Sequence, residues 1–448
     1  MLRRLVATVV AGAIAVTTPV APVRAQERVS LIRDTEVEAI IRTYGTPLWR
    51  AAGLEPSSVR VILVKDDRLN AFVAGGQNLF LNTGLLIKAD SAGQVIGVMA
   101  HEAGHMAGGH LARMPEVIRN AMITSLIAMA LSMGAGVGTR AGGNVGAGSV
   151  GIGASLAERN LFSFTRSQEQ AADQAGVGYL EQLGMSARGL MQFMEQIQHQ
   201  EVLSAVRQDP YLRTHPLTSE RIEFLRNQVA QSRYSNVPVA PELEALQRRM
   251  RVKLSAFIDP PGKTLDVWAK GDSVEARYAR AIAWYRIPDL KKALPEIDGL
   301  IRDFPKDPYF HELRGQMLFE NGRIAEALPS YKEAVTLKPD AALIRIDYAH
   351  AQLETGDPAL VPDAEANLNT AVRTEPELPE LWRQLGVAYG RGGQLGMAAM
   401  ALAEQALLEG RRFDARDQAR RAMRLLPTGS PGWIKAQDVE TQALRREE

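Results

Sequence analysis

One short stretch, His101-Glu102-x-x-His105, constrains this chain more than any other. On an α-helix, which turns by about 100° per residue, positions four apart lie only about 40° from each other. His101 and His105 therefore share a face, and two imidazoles on one face can grip one metal ion while Glu102 stands beside them. The pattern supplies two zinc ligands and a carboxylate able to take a proton from an attacking water. A pair of satisfied core histidines is the plain alternative, and the glutamate in register argues against it. The chain of 448 residues contains no cysteine. A disulfide framework, a thiolate metal site and a cysteine nucleophile are thereby excluded, and any metal must be held by His, Asp or Glu.

A catalytic zinc site takes a third protein ligand and leaves one position open. Glu169 and Asp173 are again four apart, so both face one way on a second helix. Glu169 can complete a His-His-Glu set, and Asp173 is placed to accept a hydrogen bond from a ligand imidazole and fix its tautomer. Taken alone the pair would read as a solvated helix face; after the first helix it reads as part of the site. His110 follows His105 by five residues, and on a continuing helix it would point about 180° from His101. It is expected to be structural or to support a ligand from behind. His215, before Pro216, is either a surface residue or a fourth ligand that closes the site at rest. Arg221, one turn into the next helix, is a candidate to stabilise the oxyanion of a tetrahedral intermediate, with a surface ion pair as the alternative.

Ahead of the metal helix, residues 31–52 read as one or two helices and Val59–Val64 as a strand. Asn70-Ala71-Phe72 and Asn78–Asn82 flank Gly75-Gly76, a hairpin signal. An edge strand there, at Asn70, Ala71 and Phe72, could hold an extended peptide by its backbone. Ser91 with Gln94 forms a capping box that opens the metal helix, and Pro115 bounds its end. That helix carries Gly93, Gly97, Gly104, Gly108 and Gly109, each interior glycine costing about 1 kcal/mol against Ala. Such a cost implies that neighbouring backbone approaches closely.

Taken together, His101-Glu102-x-x-His105 with His110, Thr165-Arg166-x-x-Glu169-x-x-x-Asp173 and His215-Pro216 with Arg221 resemble the zinc metallopeptidase family of the CAAX prenyl proteases and HtpX. The hairpin around Asn70-Ala71-Phe72 is similar to that family's substrate-binding edge. These motifs cover most of residues 60 to 230. Thr165 stands where the family more often has Ser, and both carry a hydroxyl. Membrane members surround this core with transmembrane helices; here a signal peptide and a repeat domain replace them.

Leu2-Arg3-Arg4, an apolar run from Leu5 to Val16 and the small residues near Ala25 read as a cleaved secretory signal, residues 1–25. The expected destination is a bacterial periplasm, and with no cysteine after the signal no lipid anchor of the lipoprotein type is expected. Residues 26–258 are expected to form the peptidase domain, and 259–272, beginning Asp259-Pro260-Pro261-Gly262, a linker. From 273 to 448 the chain repeats. Gly322, Gly356 and Gly393, like Pro305, Pro339 and Pro376, recur at intervals of 34 and 37. Trp382-x-x-Leu385-Gly386-x-x-Tyr389 reproduces the first-helix signature of a tetratricopeptide unit. The fold class is thus mainly α: an α+β zinc-peptidase domain with a small sheet, followed by an α-solenoid. Between the ligand helices, residues 121–157 are apolar and then glycine-rich. A membrane span, a buried helical hairpin and a flap in peripheral contact with a membrane are all open.

With 52 basic and 51 acidic residues, no global field favours nucleic acid. The function expected is a periplasmic endopeptidase with one Zn2+ per chain. Its resemblance to secreted, repeat-bearing relatives implies that it degrades misfolded or stalled outer-membrane proteins and assists their assembly. The repeats would recruit these clients and the outer-membrane assembly machinery. The alternative is a chaperone or adaptor in that assembly whose proteolytic site is silent or secondary.

Overall fold

The computed structural model describes residues 30–110, 166–203, 215 and 217–445. The expected signal segment 1–25 and residues 121–157 lie outside the described residues. No helix among the described residues is long and apolar enough to cross a membrane. The fold is a small sheet and a helical layer, followed by a helical array.

The first domain opens with β1 (Ser30–Ile32) and α1 (Thr35–Ala51), so Leu31 and Ile32 belong to a strand and not to a helix. Asp34 caps α1 by accepting from the Val37 N–H. Next come β2 (Arg60–Lys65), β3 (Ala71–Ala74) and β4 (Asn78–Asn82). The sheet order is β1-β2-β4-β3, with β2 parallel to β4 and β3 antiparallel to it. Gly75 and Gly76 turn the β3–β4 hairpin at φ 60° and 93°, where a side chain is strained. Alternation puts Leu63, Val73, Leu79 and Leu81 into the main core. On the opposite face Phe72 and Phe80 stack with centroids 4.7 Å apart.

After α2 (Thr83–Lys88) comes the metal helix, α3 (Ala92–Ala107). Ser91 Oγ accepts from the Gln94 N–H, and the Gln94 side chain returns to the Asp90 N–H at 2.9 Å, a capping box shifted by one residue. The helix stops at Gly108-Gly109, earlier than Pro115 suggested. Helices α4 (Arg166–Gln182) and α5 (Arg188–Leu203) pack on α3. The glycines explain how. A Cβ on Gly97 would stand 2.6 Å from the Leu190 nitrogen, and one on Gly104 2.8 Å from the Ala172 oxygen. One on Gly176 would stand 3.0 Å from the His101 nitrogen. Three helices thus cross at backbone contact. Then follow α6 (Ser219–Gln231), capped by Thr218, and α7 (Pro241–Ile258).

Residues 259–272, expected as a linker, contain a short helix, α8 (Pro261–Val267), packed on α9 (Val274–Arg286). The array continues as α10 (Leu290–Asp303), α11 (Pro308–Glu320), α12 (Ile324–Leu337), α13 (Ala342–Glu354) and α14 (Val361–Ala371). It ends with α15 (Pro379–Arg391), α16 (Leu395–Leu408), α17 (Arg412–Leu425) and α18 (Pro431–Leu444). Gly322, Gly356 and Gly393 sit between paired helices at φ near +75°. The extra residues of the 37-residue interval form a 3-10 turn at Pro358–Leu360. Trp382 and Tyr389 are buried, the indole N–H donating to the Pro376 carbonyl at 2.7 Å.

The array is not hung loosely from the first domain. Glu36, on α1, is 1% exposed. It pairs with Arg249 and Lys253 of α7 and accepts a hydrogen bond of 2.7 Å from Tyr278 of α9. Burial alone would lower the Lys253 pKa; Asp34, Tyr278 and Glu36 outweigh it and hold that pKa well above the usual range. Arg249 also holds Asp307, Thr35 donates to Glu312, and Arg33 grips Glu375 at 2.7 and 3.0 Å. A buried carboxylate shared by two cations is costly to remove, because the cations stay behind. Glu36→Ala should therefore lower unfolding free energy by about 3 kcal/mol, read by denaturant titration of the full chain. An unchanged midpoint would show that the contact is not a structural tie.

Candidate metal centre

The site is built where α3 and α4 cross. His101 and His105 project from successive turns of α3 and face Glu169, in the first turn of α4. The chain beyond α5 brings in His215. All four are buried, and their candidate ligand atoms lie within 4.8 Å of one another. His105 Nε2 is 3.0 Å from His101 Nε2 and 3.3 Å from Glu169 Oε1. His215 Nδ1 is 3.4 Å from His101 Nε2 and 3.1 Å from Glu169 Oε1. Ligands at the 2.0–2.1 Å of Zn–N bonds define a tetrahedron whose edges are about 3.3 Å. The donor set, three imidazoles and one carboxylate at this spacing, fits a tetrahedral cation.

Hydrogen bonding behind these atoms supports the same fit. Asp173 Oδ1 lies 2.8 Å from His101 Nδ1, so that nitrogen carries the proton and Nε2 presents its lone pair inward. Burial opposes charge on His101, but Asp173 and Glu169 outweigh it and raise its pKa to about 9. His105 is driven the other way, well below the ordinary value, first by burial and then by the charge of its neighbours. Burial would raise Glu169, yet His215, His101 and His105 hold it well below the usual range. Glu102 is fully buried, burial pushes its carboxyl up, and among the described residues neither oxygen has a hydrogen-bond partner. His215 Nε2 lies 3.5 Å from Glu102 Oε1.

Arg221 lies away from the places expected of it, and His110 backs a ligand, as one of its expected roles had it, by a route that a continuing helix does not offer. Arg221 is buried, not the surface ion pair that was the alternative for it. Its Nε and Nη2 hold Asp173 at 2.6 and 2.8 Å, and Nη1 meets Glu169 at 2.6 Å. Those contacts make it the counter-charge that fixes two carboxylates. His110 does not continue the helix outward: Gly109, at φ 60°, turns the chain back and puts His110 Nδ1 2.9 Å from His105 Nδ1. The glycine pair at 108–109 was the available signal, since it is a helix stop. The expected peptide edge lies at one end of the sheet, with β3 packed on α3. Asn70 is buried, its side-chain oxygen without a partner among the described residues, Ala71 is buried, and Phe72 is half-buried against Phe80.

Residues 33–229 match Peptidase family M48. The matched region contains His101, His105, Glu169 and His215, the side chains that could hold a metal ion. Residues 278–342 and 318–383 match tetratricopeptide repeats. The beta-barrel assembly-enhancing protease of Yersinia pestis is 27% identical over 395 residues, covering 85% of this chain and 78% of that protein. Its namesake from Escherichia coli O157:H7 is 29% identical over 343 residues, 73% of this chain and 67% of that one. Metalloprotease LoiP of Escherichia coli K12 is 29% identical over 199 residues, 44% of this chain and 72% of that protein. The match to assembly-enhancing proteases thus runs past the M48 domain into the repeats.

The revised place of Arg221 has a measurable consequence. Arg221→Gln strands two buried carboxylates and should weaken both stability and metal retention, the unfolding midpoint and the bound metal falling together. Full metal content with only a lower turnover would instead restore the oxyanion role.

Proposed function

We propose that this chain is a zinc endopeptidase of the bacterial periplasm that cuts misfolded or stalled outer-membrane proteins and assists their assembly. The observation that carries the catalytic half is the convergence of His101, His105, Glu169 and His215 beside a buried Glu102 that has no hydrogen-bond partner among the described residues. In this reading one zinc per chain is held by His101, His105 and Glu169, with His215 as a fourth ligand at rest. Zinc, when bound, supplies a fixed positive charge that polarises a peptide carbonyl and acidifies an attacking water. His215 withdraws to admit substrate and so serves as a switch. Glu102 takes the proton from the water and hands it to the leaving amine; its upward-shifted pKa suits a group that must both accept and donate. Asp173 and Arg221 keep the ligands aligned. An extended peptide pairs along β3, at Asn70, Ala71 and Phe72.

The recruiting half rests on the repeats and on relatives named for β-barrel assembly. An array of stacked helix pairs offers a curved surface to extended or helical peptide. Outer-membrane proteins awaiting assembly, and the machinery that inserts them, are the partners proposed. Delivery to the periplasm through residues 1–25 belongs to the same proposal.

Glu102→Gln is the test. The variant should retain zinc and lose casein proteolysis by roughly 10²–10⁴-fold, and chelation should abolish cleavage by the parent. Native-rate cleavage by the variant, or loss of its zinc, would overturn the assigned roles.

A further inference from the structure

We infer that His110 is the positioning residue of the second ligand: a neutral hydrogen-bond acceptor that fixes the tautomer of His105, as Asp173 does for His101. This rests on the metal-site reading above. The argument starts from which nitrogen of His105 faces where. Nε2 points at the site, 3.0 Å from His101 Nε2 and 3.3 Å from Glu169 Oε1. An imidazole that gives its Nε2 lone pair to a cation carries its proton on Nδ1, and that proton needs an acceptor. The atom there is His110 Nδ1, at 2.9 Å. His110 must then be unprotonated at Nδ1, its own proton residing on Nε2.

The backbone around His110 is built to hold it there. The chain leaves α3 through Gly109 at φ 60°, and the His110 N–H donates to the His105 carbonyl at 3.3 Å. The His110 ring lies back over the helix end, so close that a Cβ on Gly108 would meet its Nε2 at 2.6 Å. Both glycines are therefore needed for one contact. His110 is only 7% exposed.

Charge explains why the acceptor is an imidazole rather than another carboxylate. Glu102, Glu169 and Asp173 already bring three acids, against which stand Arg221 and a divalent cation. That set balances. A fourth acid at 110 would leave a buried excess of negative charge, whereas a neutral ring accepts the same proton without one.

Leucine and asparagine have nearly the same shape, which separates packing from hydrogen bonding. The full chain is titrated with zinc against a chromophoric chelator. His110→Leu should weaken zinc affinity by roughly 10–100-fold. His110→Asn, with an amide oxygen near the Nδ1 position, should stay close to the parent, and the metal-free forms should melt alike. Parent-like affinity in His110→Leu, or equal loss in both variants, would overturn the assignment. Should His110→Leu fail to fold, His110→Ala against His110→Asn makes the same comparison. A parent that takes up no zinc sinks the metal-site reading and this inference with it, while a parent that binds isolates the question to His110.

Discussion

Everything at the candidate centre depends on two helices touching through their backbones. Gly104 lies against Ala172, and Gly176 lies against the His101 nitrogen, with no room for a Cβ at either crossing. At that separation side chains on successive turns of α3 reach those on α4 directly. His101 and His105 meet Glu169, and His101 meets Asp173. Helices held apart by ordinary side chains pack at 8–10 Å between axes, and the same short carboxylates would reach less far. The helix propensity sacrificed at each glycine, about 1 kcal/mol, is offset by packing on a continuous core that includes Met99, Ala103, Val177 and Leu190.

Burial then makes electrostatics decisive. Three carboxylates, four imidazoles and one guanidinium share a region closed to solvent. Unpaired charge is costly there, so each group is placed by the others. Arg221 spans Asp173 and Glu169; Asp173 orients His101; His110 backs His105. A second such lattice, around Glu36, Arg249, Lys253 and Tyr278, joins the peptidase domain to the repeats. The array is therefore seated on the domain it follows, at a fixed place relative to α1.

Much of this was legible in the sequence, and the reason is periodicity. Four-residue spacing put His101 with His105 and Glu169 with Asp173 on single faces, and a repeat of 34 residues with Trp382, Leu385, Gly386 and Tyr389 declared the array. The glycines of α3 announced a close crossing. What failed was local or long-range in character. Helical extrapolation gave His110 the wrong direction though not the wrong role, because a left-handed residue at 109 reverses the chain in one step. Arg221 was assigned by the habits of its residue type, and no spacing rule connects it to Asp173 forty-eight positions earlier. Asp259-Pro260-Pro261 reads as a break, and it is one, but a proline also starts a helix well, and α8 begins there. The buried tie at Glu36 joins residues hundreds of positions apart, and pattern has no access to such a pair.

The central claim is that four side chains, His101, His105, Glu169 and His215, meet on one metal ion. X-ray absorption at the metal edge of the purified protein, compared with His215→Ala, tests it most directly. The account predicts one zinc per chain, four-coordinate at about 2.0–2.1 Å, with three imidazoles in the parent and two in the variant. A protein without stoichiometric metal, or one whose imidazole count is the same with and without His215, would contradict it.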